Sequence, residues 1–427
     1  MRFVSGLAIA GVAAALSWVL VPVIGRLGVH VGLVDHPSAR RVRARPVPTT
    51  GGLTIFLVFG AAMLLGYLFY HDFPWQLVPQ LKVLLTGFVS IAMLGVVDDR
   101  LELRPIVKLA IQTLIVCGVV AGGLALEEVR FLLGPTVNIG WLGYPVAVVW
   151  FLLFMNALNL IDGLDGLAGG IAALASLGLL AVAAIKGNPL LFFAAAVLLG
   201  AIGGFLVHNF SHGRVYLGDV GSNGLGFLLA GVAIVGADND VASSSVLIAG
   251  ACMAVPTFDI VTSVMRRLLA GRGLMASDHG HIHHRLIGFG LSPRGVVLVL
   301  WGVTLFFGGQ VLSIMASQGW VYSAAGLVAG AAVALTIIAQ RKKNTLTTTR
   351  NVADEIFYLL GTRDSSTLEP SMDDSRLRTM IRNQIRREAR FRRANGNGNG
   401  HGKAVDPTEV EPTERRPVPE PLASLLR

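Results

Sequence analysis

Five short clusters of acids, amides, glycines and histidines carry the chemistry legible in this chain. In order they are Pro46-Val-Pro-Thr-Thr-Gly51-Gly52, Asp98-Asp99, Asn156-Ala-Leu-Asn159-Leu-Ile-Asp162-Gly-Leu-Asp165-Gly-Leu-Ala-Gly-Gly170, Gly218-Asp219-Val-Gly221-Ser222 and Asp278-His-Gly-His281-Ile-His283-His284-Arg285. Adjacent carboxylates at 98 and 99 suit divalent-cation or proton work, although acids at the end of an apolar run also serve as an exposed helix cap. In the third cluster Asn156, Asn159, Asp162 and Asp165 recur every three residues, while Gly163, Gly166, Gly169 and Gly170 oppose a long regular helix. That reads as a helix end opening into a glycine-rich turn, where backbone N–H groups can meet phosphate oxygens. Carboxylate and amide oxygens match Mg²⁺, which takes oxygen ligands and shares its octahedron with substrate phosphates. A broken membrane helix with polar packing is the plainer account, but so many polar groups between apolar spans are expensive to hold idle.

The other clusters are weaker alone. Asp219, flanked by glycines, leaves room for close approach by a ligand or metal. It resembles the Gly-x-Gly-Asp signature of intramembrane aspartyl proteases, except that Tyr216 stands where the first glycine belongs, and those enzymes keep their second aspartate inside an apolar helix. The histidine run could bind zinc, yet no His-Glu-x-x-His spacing supplies a ligand pair and base. With Arg266 and Arg267 before it and Arg285 after it, it matches diphosphate better. The loop before Gly51-Gly52 carries Asp35, Arg40, Arg41, Arg43, Arg45 and three prolines, a stiff basic segment fit to hold an anion. Together these groups offer oxygen ligands for Mg²⁺ and cations for phosphate. They call for phosphoryl chemistry between a water-soluble nucleotide and a lipid.

Every cluster ends an apolar span, so membrane helices must position them. Hydrophobic residues make up 53% of the 427 residues and charged ones 14%, below the quarter typical of a soluble domain. Stretches near the ~20 residues that cross a ~30 Å hydrocarbon core fall at 3–23, 52–70, 81–97, 106–124, 142–158, 166–185, 189–207, 223–237, 244–264, 295–315 and 320–340. The expected fold is an all-α polytopic membrane protein with about 11 transmembrane helices. The first span is too long for a signal-peptide core and has no small-residue cleavage site before Arg26, so it reads as a retained helix. One set of short loops holds Arg26, Arg40, Arg41, Arg43, Arg45, Arg100, Arg104, Lys108, Arg214, Arg266, Arg267, Arg272, Arg285, Arg294, Arg341, Lys342 and Lys343. The other holds Arg2, Lys82, Arg130 and Lys186. The positive-inside rule then puts the N-terminus outside and all five clusters in the cytoplasm.

Residues 1–340 read as the transmembrane domain and 341–427 as a basic, largely disordered cytoplasmic tail. The tail's Arg-rich stretch at 372–393 suits anionic lipid or a plain solvated helix, and an Asn/Gly run and a Pro/Glu-rich end follow it. The net charge of +9 is loop bias plus this tail, with no basic run interleaved with aromatics to bind nucleic acid. Cys117 and Cys252 both lie in spans and imply neither a metal site nor a disulfide.

In order and approximate spacing the clusters resemble the bacterial polyprenyl-phosphate N-acetylhexosamine-1-phosphate transferases, glycosyltransferase family 4, over about residues 30–340. The segment from Asn156 to Gly169 is highly specific to that superfamily. The Asp278…His281-Ile-His283-His284-Arg285-Leu form is similar to the branch that uses UDP-N-acetylglucosamine to start lipopolysaccharide O-antigen, enterobacterial common antigen, teichoic acid and arabinogalactan linkage glycans. The branch that makes lipid I from UDP-N-acetylmuramoyl-pentapeptide usually carries three consecutive histidines there. It stays the alternative, beside transfer of another UDP-linked amino sugar phosphate. The family commonly has a histidine where this chain has Arg43, so no role is carried over to that position.

The resemblance implies Mg²⁺-dependent transfer of N-acetylglucosamine 1-phosphate to undecaprenyl or decaprenyl phosphate, with release of UMP, at the cytoplasmic face of the inner (plasma) membrane. It implies Asn159 and Asp219 as ligands of Mg²⁺, with Mn²⁺ able to substitute. Asp98 would position or deprotonate the lipid phosphate, with Asp99 in support, and Asp162 and Asp165 would shape the nucleotide and metal site. Gly51, Gly52, Asn156, His281, His283, His284 and Arg285 would bind substrate. The implied partners are polyprenyl phosphate, a UDP-sugar and the membrane, with a homodimer allowed and nucleic acid excluded. A UbiA-type prenyltransferase would need two Asp-rich motifs on facing helices, for which residues 162–166 are too glycine-rich. A coupled transporter would place its acids near the midplane in repeated halves, and no repeat is seen.

Overall fold

The computed structural model describes residues 2–35, 46–69, 78–126, 128–130, 136–210, 213–235, 239–269, 280–315 and 330. The chain divides into two compact units, Met1–Ile337 and Ile338–Arg427, and the described residues all belong to the first. The basic loop at 36–45, Asp278 and His279, the 320–340 span apart from residue 330 and the 341–427 tail lie outside the described residues.

Helices dominate, in the order α1 (Arg2–His30), α2 (Gly51–Phe69), α3 (Val78–Leu101), α4 (Pro105–Ala121), α5 (Gly143–Ile161), α6 (Leu167–Lys186), α7 (Pro189–Asn209), α8 (Gly218–Ile234), α9 (Asn239–Cys252), α10 (Ala254–Leu269), α11 (Ile282–Gly288) and α12 (Pro293–Met315). Two antiparallel strand pairs accompany them, β1 (Val34–Asp35) with β2 (Val47–Pro48) and β3 (Glu128–Arg130) with β4 (Thr136–Asn138). Among the described residues, seven helices are long and apolar enough to cross a membrane, or eight if α9 and α10, bent by 64° at their break, form one span. That differs from the expected 11 for a reason of length. Each sequence span up to residue 315 has its helix, but α4 and α8 have 17 residues each and α9–α10 is broken.

The bundle is organised around α8. Every residue from Val220 to Ile234 is buried, the mark of a helix enclosed on all sides rather than along one apolar stripe. It packs against α5, α3, α2 and α9, and its glycines let those neighbours close in: a Cβ on Gly226 would lie 2.5 Å from the Phe154 carbonyl oxygen. On the outside, Leu64, Leu65 and Leu68 of α2, Met93 of α3 and Leu114 of α4 stand exposed, a surface that only hydrocarbon would cover.

Candidate functional site

The site begins where α3 ends. Asp98 and Asp99 occupy its last turn, and a three-residue link turns the chain into α4, with Pro105 favoured at the first helical position because it lacks an N–H. The link is shaped by Asp98. Its carbonyl accepts from the Glu102 N–H at 2.9 Å and its Oδ1 from the Leu103 N–H at 2.9 Å, while Glu102 adopts a left-handed φ of 46°. Lys108, in the first turn of α4, thereby returns over Asp98, with Nζ 2.5 Å from Asp98 Oδ2 and 3.2 Å from Asp219 Oδ1. One ammonium thus joins carboxylates more than a hundred residues apart.

Asp219 sits in the first turn of α8, where the helix dipole favours negative charge. Its backbone N–H donates to Asp99 Oδ1 at 3.0 Å, and Asn159 Nδ2 donates to its Oδ1 at 2.5 Å and to Ser222 Oγ at 2.9 Å. Gly218 is required in front of it: its φ is +72°, and a Cβ there would lie 2.4 Å from the Thr49 carbonyl oxygen and 3.0 Å from Asp99 Oδ2. Asp99 Oδ2 and Thr49 Oγ1 are buried with no hydrogen-bond partner among the described residues.

Gly51 and Gly52 lie in the wall behind this centre and do not line the cavity. Their N–H groups donate to the Tyr216 and Leu217 carbonyls, each at 2.9 Å, and a Cβ on Gly52 would lie 2.1 Å from Gly221 Cα. These glycines, expected to meet substrate, let the start of α2 press against the start of α8. Asn156 faces the cavity but is tied by Nδ2 to Gln112 Oε1 (3.1 Å) and the Leu152 carbonyl (2.8 Å).

Between α5 and α6, residues 162–166 form the glycine-rich turn expected from the sequence. Asn209 staples it in place, accepting from the Gly166 N–H at 2.6 Å and donating to the Val215 carbonyl at 2.9 Å. Asp162 and Asp165 both line the cavity here. Asp162 keeps part of its surface open, yet protein surrounds it densely. Burial pushes its carboxyl up to about 7, with the negative charges of Asp219, Asp165 and Asp99 acting in the same direction.

Against this turn stands a histidine wall. His283 is buried, its ring close enough to the turn that a Cβ on Gly163 would lie 2.6 Å from Nε2. Burial holds its imidazole down at about 4, helped by the neighbouring His284 and His281 and opposed by Asp259. His281 is also buried, with Nδ1 3.2 Å from both Asp259 Oδ2 and Ser263 Oγ, and Asp259 Oδ1 accepts from the Ile282 N–H at 2.9 Å. His284 and Arg285 are exposed. None of these four, expected to bind substrate, lines the cavity; His283 packs against the turn that does.

The cavity in front of these groups measures about 2620 Å³. Its polar end holds Asp98, Asp99, Lys108, Asn159, Asp162, Asp165 and Asp219, with Arg267 and Arg294 also on its lining. Leu109, Val149, Leu152, Leu153, Ile260 and Val264 of α4, α5 and α10 form an apolar wall. Asp98, Asp99 and Asp219 gather carboxylate oxygens beside the Lys108 ammonium and the Asn159 NH₂, and carboxylate oxygens suit a hard divalent cation. No three His, Cys, Asp or Glu side chains among the described residues form a metal site unaided, so such an ion would complete its shell with water and phosphate oxygens. Asn159 points its NH₂ at Asp219, and joint ligation would need its oxygen turned inward.

Reading the sequence for chemistry missed Lys108, Gln112, Asn223 and Asp259. Lys108 counted there only as a loop charge, although Pro105 marks a helix start that places it in a first turn. The other three are lone polar residues in apolar spans, a signal of function or of pairing.

The model of a family described as "Glycosyl transferase family 4" matches residues 81–237. The chain is 32% identical to the "Probable undecaprenyl-phosphate N-acetylglucosaminyl 1-phosphate transferase" of Bacillus subtilis (strain 168), over 71% of this chain and 83% of the relative. It is 30% identical to the "Decaprenyl-phosphate N-acetylglucosaminephosphotransferase" of Mycolicibacterium smegmatis, over 78% and 88%. A Pasteurella multocida "Undecaprenyl-phosphate alpha-N-acetylglucosaminyl 1-phosphate transferase" is 27% identical over 63% and 75%.

Proposed function

The chain belongs to glycosyl transferase family 4, and on that premise we propose that it transfers N-acetylglucosamine 1-phosphate from UDP-N-acetylglucosamine to undecaprenyl or decaprenyl phosphate, releasing UMP. The observation that carries the reading is the meeting of Asp98, Lys108, Asn159 and Asp219 at the polar end of a cavity with an apolar wall. One reactant is an anionic nucleotide and the other an anionic headgroup on a hydrocarbon, so the reaction needs both surfaces side by side.

A lipid phosphate oxygen attacks the sugar-linked phosphorus. The new P–O bond forms as the bond from that phosphorus to the bridging oxygen breaks, and UMP leaves with the electron pair. A phosphate monoester has its second pKa near ~6, so at neutral pH the nucleophile is already mostly dianionic and Asp98 acts chiefly by orienting it, with Asp99 behind. Lys108 presents its ammonium to the diphosphate oxygens, where phosphoryl transfer gathers negative charge. Asp219 and Asn159 are the residues that would hold Mg²⁺, or Mn²⁺ in its place, and the ion would neutralise diphosphate charge. Asp162 and Asp165 frame the nucleotide end, and the wall of α4, α5 and α10 receives the polyprenyl chain. The loop charges support about 11 spans in the plasma membrane over residues 1–340, with the N-terminus outside and the site and the 341–427 tail in the cytoplasm.

The test is UMP release by purified protein in detergent with undecaprenyl phosphate and Mg²⁺, comparing UDP-N-acetylglucosamine with UDP-N-acetylmuramoyl-pentapeptide. Release with the first sugar only, dependent on lipid and metal, is the expected result. Release with the second alone would assign the protein to lipid I synthesis, and silence on both would sink the reaction class.

A further inference from the structure

Directly beneath the charged centre lies a second layer made only of carboxamides. Gln112 is one turn along α4 from Lys108, Asn156 is one turn back along α5 from Asn159, and Asn223 is one turn along α8 from Asp219. Residues three or four apart share a helix face, so each amide stands under one charged or amide group of the centre. The three are bonded in a single directed chain. Asn156 Nδ2 donates to Gln112 Oε1 at 3.1 Å, Gln112 Nε2 donates to Asn223 Oδ1 at 2.9 Å, and Asn223 Nδ2 donates to the Asp219 carbonyl at 2.9 Å. Gln112 is 0% exposed and Asn223 2%, and neither lines the cavity. Gln112 is the one member that touches both partner helices.

We propose that Gln112 is a positioning residue for the transfer reaction: its buried carboxamide sets the register of α4 against α5 and α8, and so holds Lys108 over Asp98 and Asp219. The physical reason is the absence of any competing partner. A carboxamide in an apolar interior has no water to accept its bonds, so a half-turn slip of α4 would strand two N–H groups, on Asn156 and Gln112, and two carbonyl-type oxygens, on Gln112 and Asn223, and the network resists that slip cooperatively. Leucine or methionine at 112 would pack equally well but would tolerate neighbouring registers. The spacing between ammonium and carboxylates would then drift, and a misplacement near 1 Å can lower turnover by roughly 100-fold.

This inference rests on the proposed reaction for its kinetic readout but not for its structural one. Gln112→Met removes the bonds at similar volume. Gln112→Asn combined with Asn223→Gln moves a methylene from α4 to α8 and keeps the bond between these two positions within reach. Each protein, shown to be folded by its melting curve, is assayed for kcat and KM. Separately, acylation of Lys108 by an amine reagent is followed by peptide mass spectrometry, with Lys82 and Lys186 as internal references. Gln112→Met is expected to lower kcat roughly 10- to 100-fold, to leave KM for the UDP-sugar within about threefold, and to speed acylation at Lys108 alone. The exchanged pair should recover most of both losses. Unchanged kcat and unchanged Lys108 reactivity in Gln112→Met would overturn the proposal, as would a loss of kcat with Lys108 still protected and no recovery in the exchanged pair. If the wild-type protein transfers no sugar phosphate at all, the reaction reading falls, and the Lys108 reactivity comparison decides the role of Gln112 by itself.

Discussion

Two polar walls face each other across the α5–α6 turn, and they handle charge in opposite ways. The centre formed by α3, α4, α5 and α8 sets Asp98 and Asp219 on the Lys108 ammonium and opens it to the cavity. The wall formed by α10 and α11 takes its central imidazole out of solvent, ties His281 to Asp259 and leaves His283 neutral. The difference is burial against pairing. A carboxylate at a cavity edge beside an ammonium is placed to meet phosphate and its counter-ions, whereas an imidazole buried among other imidazoles is held down and serves as shape. Sequence proximity to arginines did not predict which would happen.

The comparison breaks most readily at Asp219. Asp219→Asn keeps the shape but removes the carboxylate that Lys108 and Asn159 share, and turnover should fall by roughly 1,000-fold, read as UMP release per folded protein. Lys108→Met should follow with a loss of roughly 100-fold, and with a lowered melting temperature because Asp98 and Asp219 would face each other uncompensated. If Lys108→Met were fully active, the centre would be an acid site and not a charge-paired one. Asp98→Asn should be milder, about tenfold at pH 7, with a deficit that widens below the second pKa of the lipid phosphate near ~6 and levels off above it, where the phosphate needs no help in losing its proton and only the orienting role is lost. A loss equal to that of Asp219→Asn and independent of pH would contradict this division of roles.

The smallest effect belongs to the histidine wall and concerns stability. The folded-state value of His283, about 4, lies below the ordinary 6.5. The unfolded chain therefore binds more protons between those values, and stability rises with pH across that window. It should be fully present above about pH 6.5 and decline towards pH 4, by at most about 1.4 kcal/mol per pH unit. His283→Phe should flatten that part of the melting-temperature profile. Its activity profile between pH 6.5 and 8 should keep the wild-type shape. A shifted activity profile would mean that His283 exchanges protons with substrate and belongs to the first wall.

Much of the site was readable in advance because its groups are chemically out of place. Acids and amides at the ends of apolar runs, and glycines too dense for a helix, mark Asp98, Asn159, Asp162 and Asp219 without knowledge of the fold, and the structure brings all four to one cavity. Gly51 and Gly52 were equally conspicuous, and the structure shows backbone approaching them at the start of α8; a glycine signals close approach without saying whether ligand or backbone approaches. Lys108 and Gln112 were hidden for the opposite reason: one resembled a topology charge and the other an isolated polar residue.

By itself the sequence determined the helical membrane class, the placement of the helices up to residue 315, the oxygen-rich chemistry and the family, because hydropathy and local residue type act over a turn or two of chain. Only the tertiary structure decided which charges are paired and which rings are sealed. It set Lys108 between carboxylates at 98 and 219 and shut His283 against Gly163. Protonation and pairing depend on distances of a few ångströms and on the exclusion of water. Those are fixed by how α8 is enclosed by its neighbours and not by any spacing along the chain.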